Sequence, residues 1–308
     1  MTKVLVTGGA GFIGSNLAKA LREAGDEVRV LDNFSTGSRA NLDGLGVEIV
    51  EGELRSYERV HNAVRGVEVV YHLGALGSVP RSVQDPLTSS AVNIEGTLNV
   101  LLAARDEGVR RVVFSSSTSV YGTSAARPTR EDSPLDPISP YGVAKLAAER
   151  YCSAFSRVYD AFETVVLRYF NVFGPRQSPS SQYAAVVPLF ITAIAEGRPV
   201  TIHGDGEQSR DFTFVDNVVA ATIAAAGAPG ASGRAFNVAG GDPASVNRVA
   251  DTIGAILGRP VEKDFTASRP GDIRDSWADL SAAREVLGYE PSISLEDGLR
   301  RTADALLG

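Results

Sequence analysis

The chain is short of lysine. Of its 30 basic residues only Lys3, Lys19, Lys145 and Lys263 are lysines, which leaves 26 arginines. A single cysteine, Cys152, excludes an intrachain disulfide and suits a reducing compartment. No apolar run approaches the roughly 20 residues of a membrane span, and the N-terminus lacks a charged-then-apolar leader pattern. A cytoplasmic protein with no membrane partner is therefore expected. Clusters of lysine and arginine are also missing, and the net charge is −7. An acidic chain of that kind argues against nucleic acid as a partner. The three histidines, His61, His72 and His203, show no ligand spacing, so no metal centre is expected. What remains is ordinary globular composition, 44% hydrophobic and 22% charged over 308 residues, long enough for one compact body or two intimate lobes.

The first half alternates strand and helix. Val4–Val6, Val28–Leu31, Val47–Val50, Val67–His72, Arg111–Ser115 and Thr164–Arg168 read as strands. Helical spacing runs through Ile13, Leu17 and Leu21, then over Pro86–Glu107 and Pro140–Tyr159. Such alternation predicts an α/β fold built on a doubly wound parallel sheet with helices on both faces. After about Asn171 the alternation gives way to loops rich in proline, serine and glycine, which predicts a smaller lobe that exchanges segments with the first.

Two motifs carry chemistry. Gly8, Gly11 and Gly14 follow the first strand and open the first helix. Glycine serves where backbone must turn tightly and approach a pyrophosphate, and the helix end offers free N–H groups to phosphate oxygens. Asp32 ends the second strand 18 residues after Gly14. A carboxylate there accepts from both ribose hydroxyls and repels a 2′-phosphate, which favours NAD over NADP. The second motif is Tyr141 and Lys145, one turn apart at the start of a helix and therefore on one face. A neighbouring ammonium and a nicotinamide cation are together expected to lower the tyrosine pKa toward that of a usable base. Ser117, in the hydroxyl-rich run after the fifth strand, sits at the sheet's carboxyl edge, where such folds bind ligands. Taken alone, either motif is compatible with a glycine turn or a packed tyrosine and solvated lysine; their order along one chain is not.

With these residues in place the sequence resembles the extended short-chain dehydrogenase/reductases, in the NAD-dependent epimerase/dehydratase branch acting on nucleotide-diphosphate sugars. The resemblance extends over nearly the whole chain, through Asn93–Thr97, Arg168–Gln177, Gly204–Phe212 and Arg269–Asp272. It implies a Rossmann-type NAD-binding domain over 1–170 and a nucleotide-sugar lobe over 171–308. Around the cofactor it places Gly8, Gly11, Phe12, Ile13, Gly14, Asp32, Asn33, Glu53, Leu54, Leu73 and Asn93, with Tyr141 and Lys145. Glu53 is a departure, since the family usually has aspartate there beside the adenine. Ser78, Ser117, Tyr141, Asn171, Arg210, Arg269, Asp272 and Ser276 are implied around the substrate, the arginines as guanidinium partners of a diphosphate. A homodimer through the helices of 86–107 and 140–159 is implied as well.

The 4,6-dehydratases of the family carry an Asp-Glu pair where this chain has Thr118 and Ser119, and decarboxylases usually keep the glutamate. Neither residue here can act as a carboxyl acid or base. The resemblance therefore implies a UDP-sugar 4-epimerase, with Tyr141 as base, a transient 4-keto sugar and a cofactor that stays bound. Ser276 matches a position where a large side chain excludes a 2-acetamido group, so UDP-N-acetylglucosamine/UDP-N-acetylgalactosamine is the expected pair, with UDP-glucose/UDP-galactose as a second. The alternatives are a UDP-glucuronate 4-epimerase, another nucleotide-sugar enzyme such as a 4,6-dehydratase, decarboxylase or net oxidoreductase, and a non-catalytic NAD-binding sensor.

Overall fold

A computed structural model describes residues 1–123, 126–178, 185–268 and 274–308. Strands β1 (Lys3–Thr7), β2 (Glu27–Asp32), β3 (Glu48–Glu51), β4 (Val69–His72), β5 (Arg111–Ser117) and β6 (Glu163–Tyr169) are joined by a seventh, Arg234–Val238. Across the sheet the order is Arg234–Val238, β6, β5, β4, β1, β2, β3, and every pair is parallel. The interior strands alternate between two apolar faces. Val4, Val6, Val30, Tyr71, Val113 and Val165 enter one core, while Leu5, Leu31, Val70, Val112, Phe114 and Val166 enter the other. Burial on both faces requires apolar residues at consecutive positions, which is why these strands read as continuous runs.

Helices α1 (Phe12–Glu23), α2 (Tyr57–Val64), α3 (Val79–Gln84), α4 (Pro86–Ser90), α5 (Gly96–Asp106) and α6 (Pro140–Val158) form the crossovers of the first half. The single helical stretch expected over 86–107 is interrupted: a π-turn at Ala91–Glu95 separates α4 from α5. The helices α2 and α3, which the periodicity did not single out, are short, and each is started by a serine, Ser56 and Ser78, whose hydroxyl accepts from the third residue on.

The seventh strand comes from far along the chain. Residues 234–238 lie well inside the second half, yet they pair with β6 in register from Val165 to Tyr169. Beyond them, short strands Ser209–Arg210, Ala244–Ser245 and Asp275–Ser276 form a small sheet of their own. The sequential order reverses between β1 and β4, and the cleft opens at the carboxyl ends there, the switch point of such sheets. Among the described residues no helix is long and apolar enough to cross a membrane.

Candidate active site

A cavity of about 580 Å³ runs along that edge. At one end the turn between β1 and α1 is folded on itself. Gly8 has φ +67°, its N–H donates to the Leu31 carbonyl, and a Cβ at Gly14 would collide with the Gly8 oxygen. Only glycine tolerates that approach. No side chain caps the N-terminus of α1, where Gly11 stands, so the first N–H groups of the helix, at Phe12, Ile13 and Gly14, face the cavity. Asp32 is fixed by two backbone donors, Ala10 N to Oδ2 at 2.9 Å and Phe34 N to Oδ1 at 2.8 Å. A carboxylate retains further lone pairs after accepting two bonds. Uncapped helix, glycine cradle and fixed carboxylate together fit a pyrophosphate and its adjoining ribose. Asn33, Glu53, Leu54 and Leu73 line the same end, and the Glu53 carboxylate is paired with Arg55.

At the other end Ser139 caps α6, accepting from Gly142 N at 3.1 Å, with Pro140 at the first helical position. A Cβ on Gly142 would meet the Ser119 carbonyl at 2.6 Å, so the helix start is pressed against the turn that follows β5. This brings Tyr141 close to Ser117. Lys145, one turn on, is buried and donates from Nζ to the Ser115 carbonyl at 2.7 Å. Burial lowers its pKa to about 8, with Cys152 and Glu149 acting the other way. Burial pushes the Tyr141 pKa up to about 12, with Ser117 acting the other way. The Lys145 ammonium does not offset that: it is directed at the Ser115 carbonyl and lies 5.9 Å from the Tyr141 ring centroid.

Beneath this end lies a buried ion pair. Glu149, the next turn of α6 after Lys145, receives two bonds from Arg168, at 3.0 and 2.8 Å, and one from the Ser116 hydroxyl at 2.5 Å. Arg168 also donates to the Tyr121 hydroxyl and the Glu131 carbonyl.

Twelve of the thirteen residues expected at the cofactor line this cavity, Tyr141 and Lys145 among them, and so does the third expected catalytic residue, Ser117. Asn171 lines it as well, with a strained φ of +30° that asparagine tolerates better than most residues. Four residues do not. Asn93 spends its amide on the Leu76 backbone, and the Ser78 hydroxyl caps α3. Arg210 and Ser276 face each other as paired residues in the small sheet, outside the lining. Arg269 and Asp272 lie outside the described residues. Gln177, quoted within a motif but not singled out, also lines the cavity. Its amide donates to the Val172 carbonyl, and its Oε1 is buried with no partner among the described residues.

A model of the NAD dependent epimerase/dehydratase family matches residues 4–239. The chain belongs to that family. It is 40% identical to a UDP-glucose 4-epimerase of Mycolicibacterium smegmatis over 98% of this chain and 97% of that one. A UDP-N-acetylglucosamine 4-epimerase from Methanobrevibacter ruminantium M1, solved with UDP-N-acetylmuramic acid, superposes with a TM-score of 0.95 at 37% identity, covering 99% and 98% of the two chains. The UDP-glucose 4-epimerase of Thermus thermophilus, solved with NAD, gives 0.91 at 36%, covering 99% of each. NAD is thus the cofactor of this Rossmann-like fold.

Proposed function

We propose that the chain is an NAD-dependent 4-epimerase of UDP-hexoses. The observation that carries the reading is where the cavity's acids lie. Among the described lining residues the carboxylates are Asp32 and Glu53, both at the adenosine end. Tyr141 shares the lining with the hydroxyls of Ser117, Thr118 and Ser119 and with Lys145. The site is therefore equipped to move one proton on one oxygen, and not for the extra acid-base work of dehydration. When bound, NAD accepts and returns a hydride at the sugar C4 and adds a positive charge that favours the phenolate. Tyr141 takes the 4-hydroxyl proton and later restores it, with Ser117 hydrogen-bonded to the same oxygen. Lys145, with one N–H on Ser115 and two further donors, holds the nicotinamide ribose. Asn171, Arg210, Arg269 and Asp272 hold the diphosphate and its nucleoside.

Within this class we favour UDP-N-acetylglucosamine/UDP-N-acetylgalactosamine, with UDP-glucose/UDP-galactose accepted. The support is Ser276, a small side chain paired across from Arg210. The UDP-glucuronate 4-epimerase of Thermodesulfobacterium geofontis is more distant, at 31% identity. A cytoplasmic location suits the buried, unpaired Cys152. A homodimer is supported by Leu87 on α4 and Val143 and Tyr151 on α6, apolar or aromatic and exposed; sedimentation of the purified protein as a monomer removes it. The test of activity is incubation of the protein, without added NAD, with each sugar nucleotide separately. The 4-epimers are expected from both. No epimer from either, with a requirement for stoichiometric external NAD, overturns the reading.

A further inference from the structure

His72 closes β4 with its ring fully buried, and no part of the proposed chemistry uses it. Both ring nitrogens are engaged. Nδ1 lies 2.7 Å from the Thr7 hydroxyl and Nε2 lies 3.0 Å from the Thr97 hydroxyl. The neighbours settle which nitrogen carries the proton. Thr97 donates its own hydrogen to the Asn93 carbonyl at 2.7 Å, so toward His72 it accepts, and Nε2 is the donor. Thr7 accepts from Gly74 N at 3.0 Å and gives its hydrogen to Nδ1. Burial, together with the charge of Lys145, pushes the ring pKa down to about 3, in keeping with a neutral ring that donates from one nitrogen and accepts at the other.

The chain of bonds closes on itself. Asn93 accepts from Leu76 N at 2.9 Å and donates to the Leu76 carbonyl at 3.2 Å. Segment 73–77, which lines the cavity, is therefore gripped at Gly74 by Thr7 and at Leu76 by Asn93, and His72 joins the two grips. The segment has no slack against the dinucleotide turn: a Cβ on Gly8 would lie 2.7 Å from the Gly74 Cα. We propose that His72, held as the Nε2–H tautomer between Thr7 and Thr97, is a positioning residue that fixes segment 73–77 against the Gly8 turn and thereby sets how tightly NAD is retained.

The inference rests on NAD occupying this cleft and leaves the choice of sugar untouched. Two measurements test it. In the holoenzyme labelled with nitrogen-15 histidine, and assigned with His72→Gln, the His72 ring should show the Nε2–H tautomer, unchanged from about pH 8 to about pH 5. An Nδ1–H signal, or titration in that range, overturns the proposal whatever any variant does. Second, Thr97→Val keeps the shape but removes the hydroxyl, leaving both Nε2–H and the Asn93 carbonyl without it. NAD release, followed by cofactor fluorescence, should quicken about tenfold, and Thr97→Ser should restore it. Turnover with saturating NAD should fall far less than retention does. Release at the wild-type rate, or equal losses of turnover and retention that serine does not rescue, would show that the network only supports the fold.

Discussion

The two ends of the cleft are held from below by opposite kinds of buried chemistry. Under the dinucleotide turn the network is neutral: Thr7, His72, Thr97 and Asn93 pass hydrogen bonds in one direction without a formal charge. Under the catalytic helix it is ionic, with Glu149 and Arg168 each about 5% exposed. A neutral ring can grip a phosphate-binding loop without adding a field that competes with the α1 helix dipole. An ion pair costs more to bury, and removing one partner leaves the other charge uncompensated. The difference teaches where each end is fragile, and how fragile.

The comparison predicts an order of effects. Glu149→Ala should destabilise the protein by about 3–5 kcal/mol in denaturant unfolding, because Arg168 is then buried alone. Adding Arg168→Met should recover part of that loss; an additive double mutant would mean that the pair is not coupled. Next comes Lys145→Met. The Lys145 pKa in the folded protein, about 8, lies below the ordinary lysine value. The unfolded chain therefore binds more protons between about pH 8 and pH 10.4, and stability should rise with pH through that window. Lys145→Met should flatten the rise and, near pH 7, stabilise the fold by about 3 kcal/mol or less while abolishing turnover. The neutral end should respond more weakly. Thr7→Val, which strands Gly74 N–H and His72 Nδ1, should cost about 1–3 kcal/mol, with no change in pH dependence above pH 5. Smallest in stability is Ser276→Tyr, outside both networks. It should move stability by less than about 0.5 kcal/mol and shift preference toward non-acetylated sugars; an unchanged substrate ratio would remove Ser276 as a gatekeeper.

The same contrast explains what could be read in advance. Strands buried on both faces leave apolar runs, so β1, β2, β4, β5 and β6 were legible to within a residue or two. Arg234–Val238 was not, because its run is interrupted by Asn237, whose side chain serves Thr129 and Tyr121. The π-turn in 91–95 escapes any reading based on a 3.6-residue period. Glycines and the Tyr141/Lys145 pair were legible because their spacing is local. Asn93 was expected at the cofactor, and the structure commits its amide to the Leu76 backbone in the wall of the cavity. A linear pattern does not distinguish those roles, since both require the same residue at the same place. The upward push of burial on the Tyr141 pKa was not legible, because burial is a property of the folded surroundings.

The seventh strand has a consequence for how the molecule comes into being. Because Arg234–Val238 completes the sheet against β6, a nascent chain carries a bare β6 edge until some seventy further residues have been made. Early folding is then delayed by a long-range closure, and this stretch of synthesis is when mispairing of that edge is most exposed. A fragment ending after β6 would inherit the same open edge permanently. The half of the chain that carries the glycine turn thus owes the last strand of its sheet to the half that follows it.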